Sequence, residues 1–314
     1  MRPIYRVVVV LLLILLALPM LPTSIRHIYQ SSRHVFHFIP SATQSSASTV
    51  VSTDKPTGLI ASSGIELLTF GTPNGQKVKI ALEELKVAYG KPYTQQDIPI
   101  MQNVQKEPWY TKLSPNGKIP VIVDHDKGGL AVMEGIAILQ YLTRNYDPDH
   151  KLSFASDPEQ AQCEQWMAWQ HGGLGPMQGQ MNHFYRMAEE VIPYAIQRFV
   201  GEVERLYGVL DKQLEGREWI VGDKYSIADI ANFSWINFSK FGGIDITRWP
   251  NLAAWHKRCL ARPAVSAVAT SSQMANPQYE QKLKEDQEAR RKEEKLQQIV
   301  GDAKARYGYK YSSP

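Results

Sequence analysis

The chain has 314 residues, 43% of them hydrophobic and 21% charged, which allows about two globular domains of roughly 100 to 150 residues with appendages. Four of the 35 basic residues, Arg2, Arg6, Arg26 and Arg33, precede the first acid, Asp54, so the remainder balances at 31 basic against 31 acidic residues and nothing reads as a nucleic-acid surface. Two cysteines, Cys163 and Cys259, with no CxxC pair, exclude a disulfide framework, a dithiol redox pair and a zinc clip, and the histidines show no metal-ligand spacing.

Residues 1–26 read as a targeting or membrane-anchor segment. Val7 to Ile25 is a 19-residue stretch without a charge, opening with the unbroken apolar run VVVVLLLILLAL. It is close to the roughly 20 residues a span requires; a secretory signal, an organelle presequence and a misassigned chain start are the competing readings. LPMLPTSIRH offers no A-x-A-like cleavage site, which favours retention. The expectation is therefore a membrane-associated protein with a single N-terminal span and its main domain facing the cytosol, with a mitochondrial location as the alternative. Arginines on both sides of the run leave the span's orientation unset by the positive-inside rule. Residues 27–63 read as a Ser-rich basic linker.

The middle opens with Ile65 to Phe70 (IELLTF), a short apolar strand, followed by the break GTPNG. A helix is expected there, with Thr72 as N-cap and Pro73 at the first helical position. Val78, Ala81, Leu82 and Leu85 form its apolar stripe, and Glu83 and Glu84 point outward. A second strand falls within Ala88 to Ile98. SPNGKIPVIVD reads as a turn and the strand Pro120 to Val123, GG as a hairpin turn, LAVM as a strand, and Glu134 to Asn145 as a closing helix with Ile136, Leu139, Gln140 and Leu142 on the sheet side. The order is βαβ, then ββα.

From Asp157 onward the periodicity is helical throughout. AIQRFVGEVERLYGVLDKQL carries Phe199, Val203, Leu206, Leu210 and Leu214 on one face, and Ser226-Ile227-Ala228-Asp229 is an acidic capping box. The sequons at Asn232 and Asn237 fall in an expected core helix. In the tail, residues 272–314, Glu280 and Lys284, Asp286 and Arg290, and Glu288 and Lys292 stand four apart, which supports a charged, solvated helix.

GTPNGQKVKIALEEL, SPNGKIPVIVD, MEGIAILQYL and KYSIADIANFSWIN resemble the glutathione transferase superfamily over about 200 of the 314 residues. WMAWQHGGLGPMQGQMNHF and IPYAIQRFVGEVERLYGVLD narrow the resemblance to the nu-class and yeast prion-type branch. It implies an α/β thioredoxin-like domain at 64–149, an all-α domain at 155–271, a homodimer, and glutathione as co-substrate with no metal. The second substrate, a small electrophile or a disulfide, would lie between the domains.

The resemblance also implies the site. Thr72 and Asn74 match the thiolate donors, at a helix N-terminus where free N–H groups and the dipole favour an anion. Ile119-Pro120 matches the cis-proline whose Ile119 backbone pairs with the cysteinyl part of glutathione, and Lys118 can meet the glycine carboxylate. Glu134 and Gly135 fall where the family has Glu-Ser for the γ-glutamyl end, so a hydroxyl is missing. Arg198 matches an arginine of the helical domain that reaches the ligand. His171, His183, Trp166 and Trp169 lie on the segment expected to line the acceptor pocket, with core packing the stronger reading for the two tryptophans. The expected activity is glutathione-thiolate conjugation or glutathione-dependent disulfide reduction, because no cysteine lies between Ile65 and Gln162. A non-catalytic regulatory module and a dedicated glutathione-adding step in fungal secondary metabolism are the alternatives.

Overall fold

A computed structural model describes residues 55–272 and 275–308. Four strands, β1 (Ile65–Thr69), β2 (Tyr93–Asp97), β3 (Val121–Asp124) and β4 (Leu130–Met133), form one sheet in the order β2-β1-β3-β4. The helix α1 (Pro73–Tyr89) carries the chain from β1 across to a parallel β2, as a crossover must. Its left-handed C-cap, Gly90 at φ 66°, ends it. β3 runs antiparallel to β1, and β4 antiparallel to β3. β1 is buried along its whole length, and its one carboxylate, Glu66, is satisfied by the Ile60 and Ala61 N–H groups and by Gln96.

The short helix α2 (Pro108–Leu113) covers one face of the sheet through a small cluster of Leu68, Ile98, Val104, Tyr110 and Val121. On the other face lie α1 and α3 (Gly135–Tyr146), which buries Ile138, Leu139 and Leu142. The main core continues from these helices into a helical layer. That layer runs α4 (Asp157–Trp169), a wide turn Gln170–Leu174, α5 (Gly175–Asn182), a second wide turn His183–Met187, and α6 (Pro193–Gln213). It continues with α7 (Ile227–Ile236), α8 (Pro250–Leu260) and α9 (Pro263–Ala269). The α/β thioredoxin-like half followed by an all-α half agrees with the expected fold class.

α7 and α9 pack on α1 and fix the two halves against each other. All ten residues of α7 are buried, and Asn232 and Asn237 are fully inaccessible, so neither sequon is open to modification in this fold. Glu84, expected on the outer face of α1, is buried instead. Arg262, just before α9, grips it with two bonds of 2.7 and 2.8 Å, the fork geometry suited to a carboxylate.

The tail is helical and largely exposed, as its charge spacing implies, but one side of it packs on the helical layer. It forms α10 (Asn276–Glu285) and α11 (Gln287–Tyr307), and α11 lies along α6 with Val300 and Ala303 buried. Its ion pairs reach outward: Glu293 to Arg186 at 2.6 Å, Lys304 to Glu204 at 2.7 Å, and Glu280 to Lys240 at 3.5 Å. The Arg186 guanidinium is sandwiched among Tyr185, Phe241 and Tyr279.

The membrane span and membrane-associated location expected from the sequence are corrected. Among the described residues no helix is long and apolar enough to cross a membrane. The two longest described helices, α6 and α11, have 21 residues each and carry charges throughout. A charge at the centre of a span costs about 2.5 to 3.5 kcal/mol. The apolar run Val7 to Ile25 and most of the linker lie outside the described residues.

Candidate active site

β1 stops at Thr69, and Phe70 and Gly71 turn the chain into α1. A Cβ at Gly75 would stand 2.1 Å from the Phe70 carbonyl oxygen, so this tight entry accepts only glycine there. Thr72 caps α1 in extended conformation, φ −105° and ψ 163°, and its hydroxyl accepts the Gly75 N–H at 3.2 Å. That bond uses an acceptor lone pair and leaves the hydroxyl hydrogen to donate. Pro73 brings no N–H.

Asn74 is fixed in the complementary sense. Its Oδ1 accepts the indole N–H of Trp235 at 3.2 Å. An indole can only donate, so the amide oxygen must face it, and the amide NH2 is left over. Among the described residues that NH2 has no hydrogen-bond partner, and it is not one of the buried, unsatisfied groups. Two half-buried side chains at the start of α1 therefore offer donors at the positive end of the helix dipole. A thiolate has an ordinary pKa of about 8.5, and each unit of depression represents about 1.4 kcal/mol, within the reach of such donors.

The second helix start is Glu134 and Gly135. Glu134 is exposed at φ 70°, and Gly135 is the buried first residue of α3. A Cβ on Gly135 would meet only Lys77 Cδ, at an ordinary 3.6 Å, so a side chain fits where this sequence has none. His171 approaches Glu134 at 3.7 Å, both about half exposed, a geometry worth little in water.

The Ile119–Pro120 peptide is cis and leads directly into β3. Lys118 is exposed, and its carbonyl accepts the Tyr110 hydroxyl at 2.9 Å. Arg198 lies half-buried on α6. Trp166 and Trp169 pack edge to face at 5.1 Å against the core, and His183 follows α5.

Lys77 was not singled out from the sequence, and it joins the two helix starts. It is 1% exposed; its ammonium bonds Gln170 Oε1 at 2.6 Å and stands 5.9 Å from the Trp235 ring centre. Burial pushes its pKa down to about 7, and the nearby Glu134 carboxylate opposes that shift. The available sequence signal was spacing: Lys77 is three residues beyond Asn74, on the same side of α1.

The protein itself offers no thiolate. Cys163 and Cys259 are both buried, and burial raises Cys163 to about 12 and Cys259 well above its ordinary value. A cavity of about 400 Å³ lies behind the turn, lined by Phe70, Gly75, Lys79, Asp97 and Val268. It contains neither Pro120 nor Gly135, so donor placement rather than this cavity defines the site.

Two family models match the chain, the glutathione S-transferase N-terminal domain at residues 72–145 and C-terminal domain at residues 194–263. Disulfide-bond oxidoreductase YfcG of Escherichia coli is 40% identical over 217 residues, covering 68% of this chain and 97% of the relative. The chain belongs to the glutathione S-transferase superfamily. Glutathione S-transferase 1 of Schizosaccharomyces pombe is 35% identical, covering 62% of this chain and 90% of that protein. Among solved structures, a Lodderomyces elongisporus glutathione transferase homologue with two glutathiones per subunit is similar at 39% identity and a TM-score of 0.62, covering 65% of this chain and 97% of its own. The yeast prion protein Ure2p in complex with glutathione matches at 31% identity and a TM-score of 0.63, covering 67% and 100%. The transferase chain described here falls in the branch that includes Ure2p.

Proposed function

We propose that this glutathione transferase holds the thiolate of glutathione at Thr72 and Asn74 and uses it for conjugation to an electrophile or for reduction of a disulfide. The observation that carries this reading is the pair of unfilled donors at the start of α1, in a fold whose own two thiols are buried and protonated. In conjugation, the sulfur forms a bond to an electrophilic carbon and the leaving group departs. In disulfide reduction, it attacks one sulfur to form a mixed disulfide and expels the other as a thiolate; the thiolate of a second glutathione then attacks the glutathione sulfur of that mixed disulfide, forming glutathione disulfide and expelling the remaining substrate thiolate. The names of the Escherichia coli and Schizosaccharomyces pombe relatives support one chemistry each.

In this reading the cis Ile119–Pro120 segment presents its backbone to the cysteinyl part, with Lys118 beside the glycine carboxylate. The N–H groups at the start of α3, with Glu134, take the γ-glutamyl end, and Arg198 approaches from the helical layer. The thioredoxin-like domain spans 64–149, the helical domain 155–271 and the charged tail 272–314, and the working form is a homodimer. Titration of the full chain with glutathione should show saturable binding at millimolar concentration or below. Paired assays of aryl-halide conjugation and hydroxyethyl-disulfide reduction then separate the two chemistries by their ratio. Absence of binding at millimolar glutathione overturns the proposal.

A further inference from the structure

Lys77 is an expensive residue to bury. Its ammonium carries three donors, and among the described residues only Gln170 accepts from it, at 2.6 Å. A buried cation without a carboxylate partner in contact costs several kcal/mol, and an apolar residue of similar volume is often the more stable choice at such a position. The packing of α1 against α3 therefore gives no reason for a lysine.

Its neighbours do. Gln170 begins the wide turn that follows α4, a type of helical irregularity that gathers at functional sites. The Trp235 ring, 8% exposed, lies within cation–π range of the Lys77 ammonium at 5.9 Å. The same indole donates to Asn74 Oδ1 at 3.2 Å. Gln170, Lys77, Trp235 and Asn74 thus form one chain of contacts from the helical layer to a thiolate donor. Its last link has a definite chemical consequence. With Trp235 in place, the amide oxygen of Asn74 is held and the NH2 faces outward. If the indole shifts, the amide can rotate and present its oxygen to the sulfur, turning a donor into a repelling acceptor.

We propose that Lys77 is a positioning residue for the thiolate seat: its ammonium holds Gln170 and the Trp235 indole, and the indole N–H keeps the Asn74 amide turned with its NH2 toward the sulfur. The proposal rests on the glutathione reading above. Lys77 does not touch the sulfur and acts through Trp235.

The test is an ultraviolet titration of the thiolate of bound glutathione on the full chain, combined with steady-state kinetics. Lys77→Met should raise the pKa of the bound thiol toward the free value of about 8.5 and lower kcat about tenfold. KM for glutathione should stay within about twofold, because the remaining ligand contacts are untouched. Trp235→Phe, which keeps a ring but removes the N–H, should give the same shift. The double variant should be no worse than either single one, since both break the same chain. An unchanged bound-thiol pKa in either folded variant overturns the proposal, as do shifts that simply add. Should Lys77→Met fail to fold, Trp235→Phe decides alone, and no shift there overturns it. A wild-type chain that binds no glutathione would instead overturn the functional reading beneath it.

Discussion

α1 and α7 both begin on a hydroxyl cap, and the two starts end in opposite states. At α7 the third helical position is Asp229, whose Oδ2 accepts the Ser226 N–H at 3.0 Å while Ser226 Oγ accepts the Ala228 N–H at 3.3 Å. The other carboxylate oxygen takes the Ile220 N–H at 3.1 Å and the Trp255 indole at 2.8 Å. Every group is filled, and both residues are fully buried. At α1 the same position is Gly75, the cap is half-exposed, and an indole holds only the oxygen of Asn74. Where an acid at the third position consumes the donors, the cap makes structure. Where none is present, the same geometry leaves room for an anion from outside.

Breaking the closed start should have the largest effect. Asp229→Ala leaves several buried N–H groups without an acceptor and should lower stability by about 3 kcal/mol or more, measured by urea unfolding. This start also predicts a pH dependence. Burial pushes the Asp229 carboxyl up from 3.8 to about 6, so the fold binds its proton more tightly than the unfolded chain does. The stability contributed by this group is complete below about pH 4 and is lost as pH rises through about 6. Wild type should therefore lose its advantage over Asp229→Asn across that interval, and an advantage that grows with pH would contradict the assignment.

Breaking the open start should damage activity more than folding. Asn74→Ala removes one donor to a charged group, so kcat/KM should fall about ten- to a hundredfold. Unfolding midpoints should move little. Thr72→Ala should show a similar kinetic loss, with about 1 kcal/mol of stability lost through the cap. A smaller effect is expected at a third helix start, that of α3. Gly135→Ser restores a hydroxyl where the Cβ has room, so glutathione should bind about two- to tenfold tighter by calorimetry. Gly135→Ala should not reproduce that gain.

The open turn was legible because its signals are local: a hydroxyl cap, a proline at the first helical position and a glycine forced by close backbone approach all lie within five residues. The same holds for the Gly128-Gly129 hairpin, where both glycines adopt positive φ. β2 was placed only within a broad window because YTQQD is a half-exposed edge strand without an apolar pattern. α2 left no readable period, because it is six residues long and is held by the Leu68 and Tyr110 cluster.

The hidden part of the site is the part built by packing. Lys77 meets Gln170 across 93 residues and Asn74 meets Trp235 across 161, and no window of sequence contains either pair. The tail shows the same limit: its helices were legible, but their partners were not. Its charges have helical spacing that suits mutual pairing, yet Glu293 finds Arg186 and Tyr185 at distances of more than 100 residues. Local spacing shows which residues share a helix face but not what that face will meet.

The ionisation state of one sulfur decides the function of this site, and the ultraviolet absorbance of the thiolate in bound glutathione reports it directly across pH. Wild type should ionise the bound thiol well below the free value of about 8.5, and the Thr72→Ala, Asn74→Ala double variant should return it to that value. The same ionisation curve in both proteins would mean that Thr72 and Asn74 do not hold the thiolate.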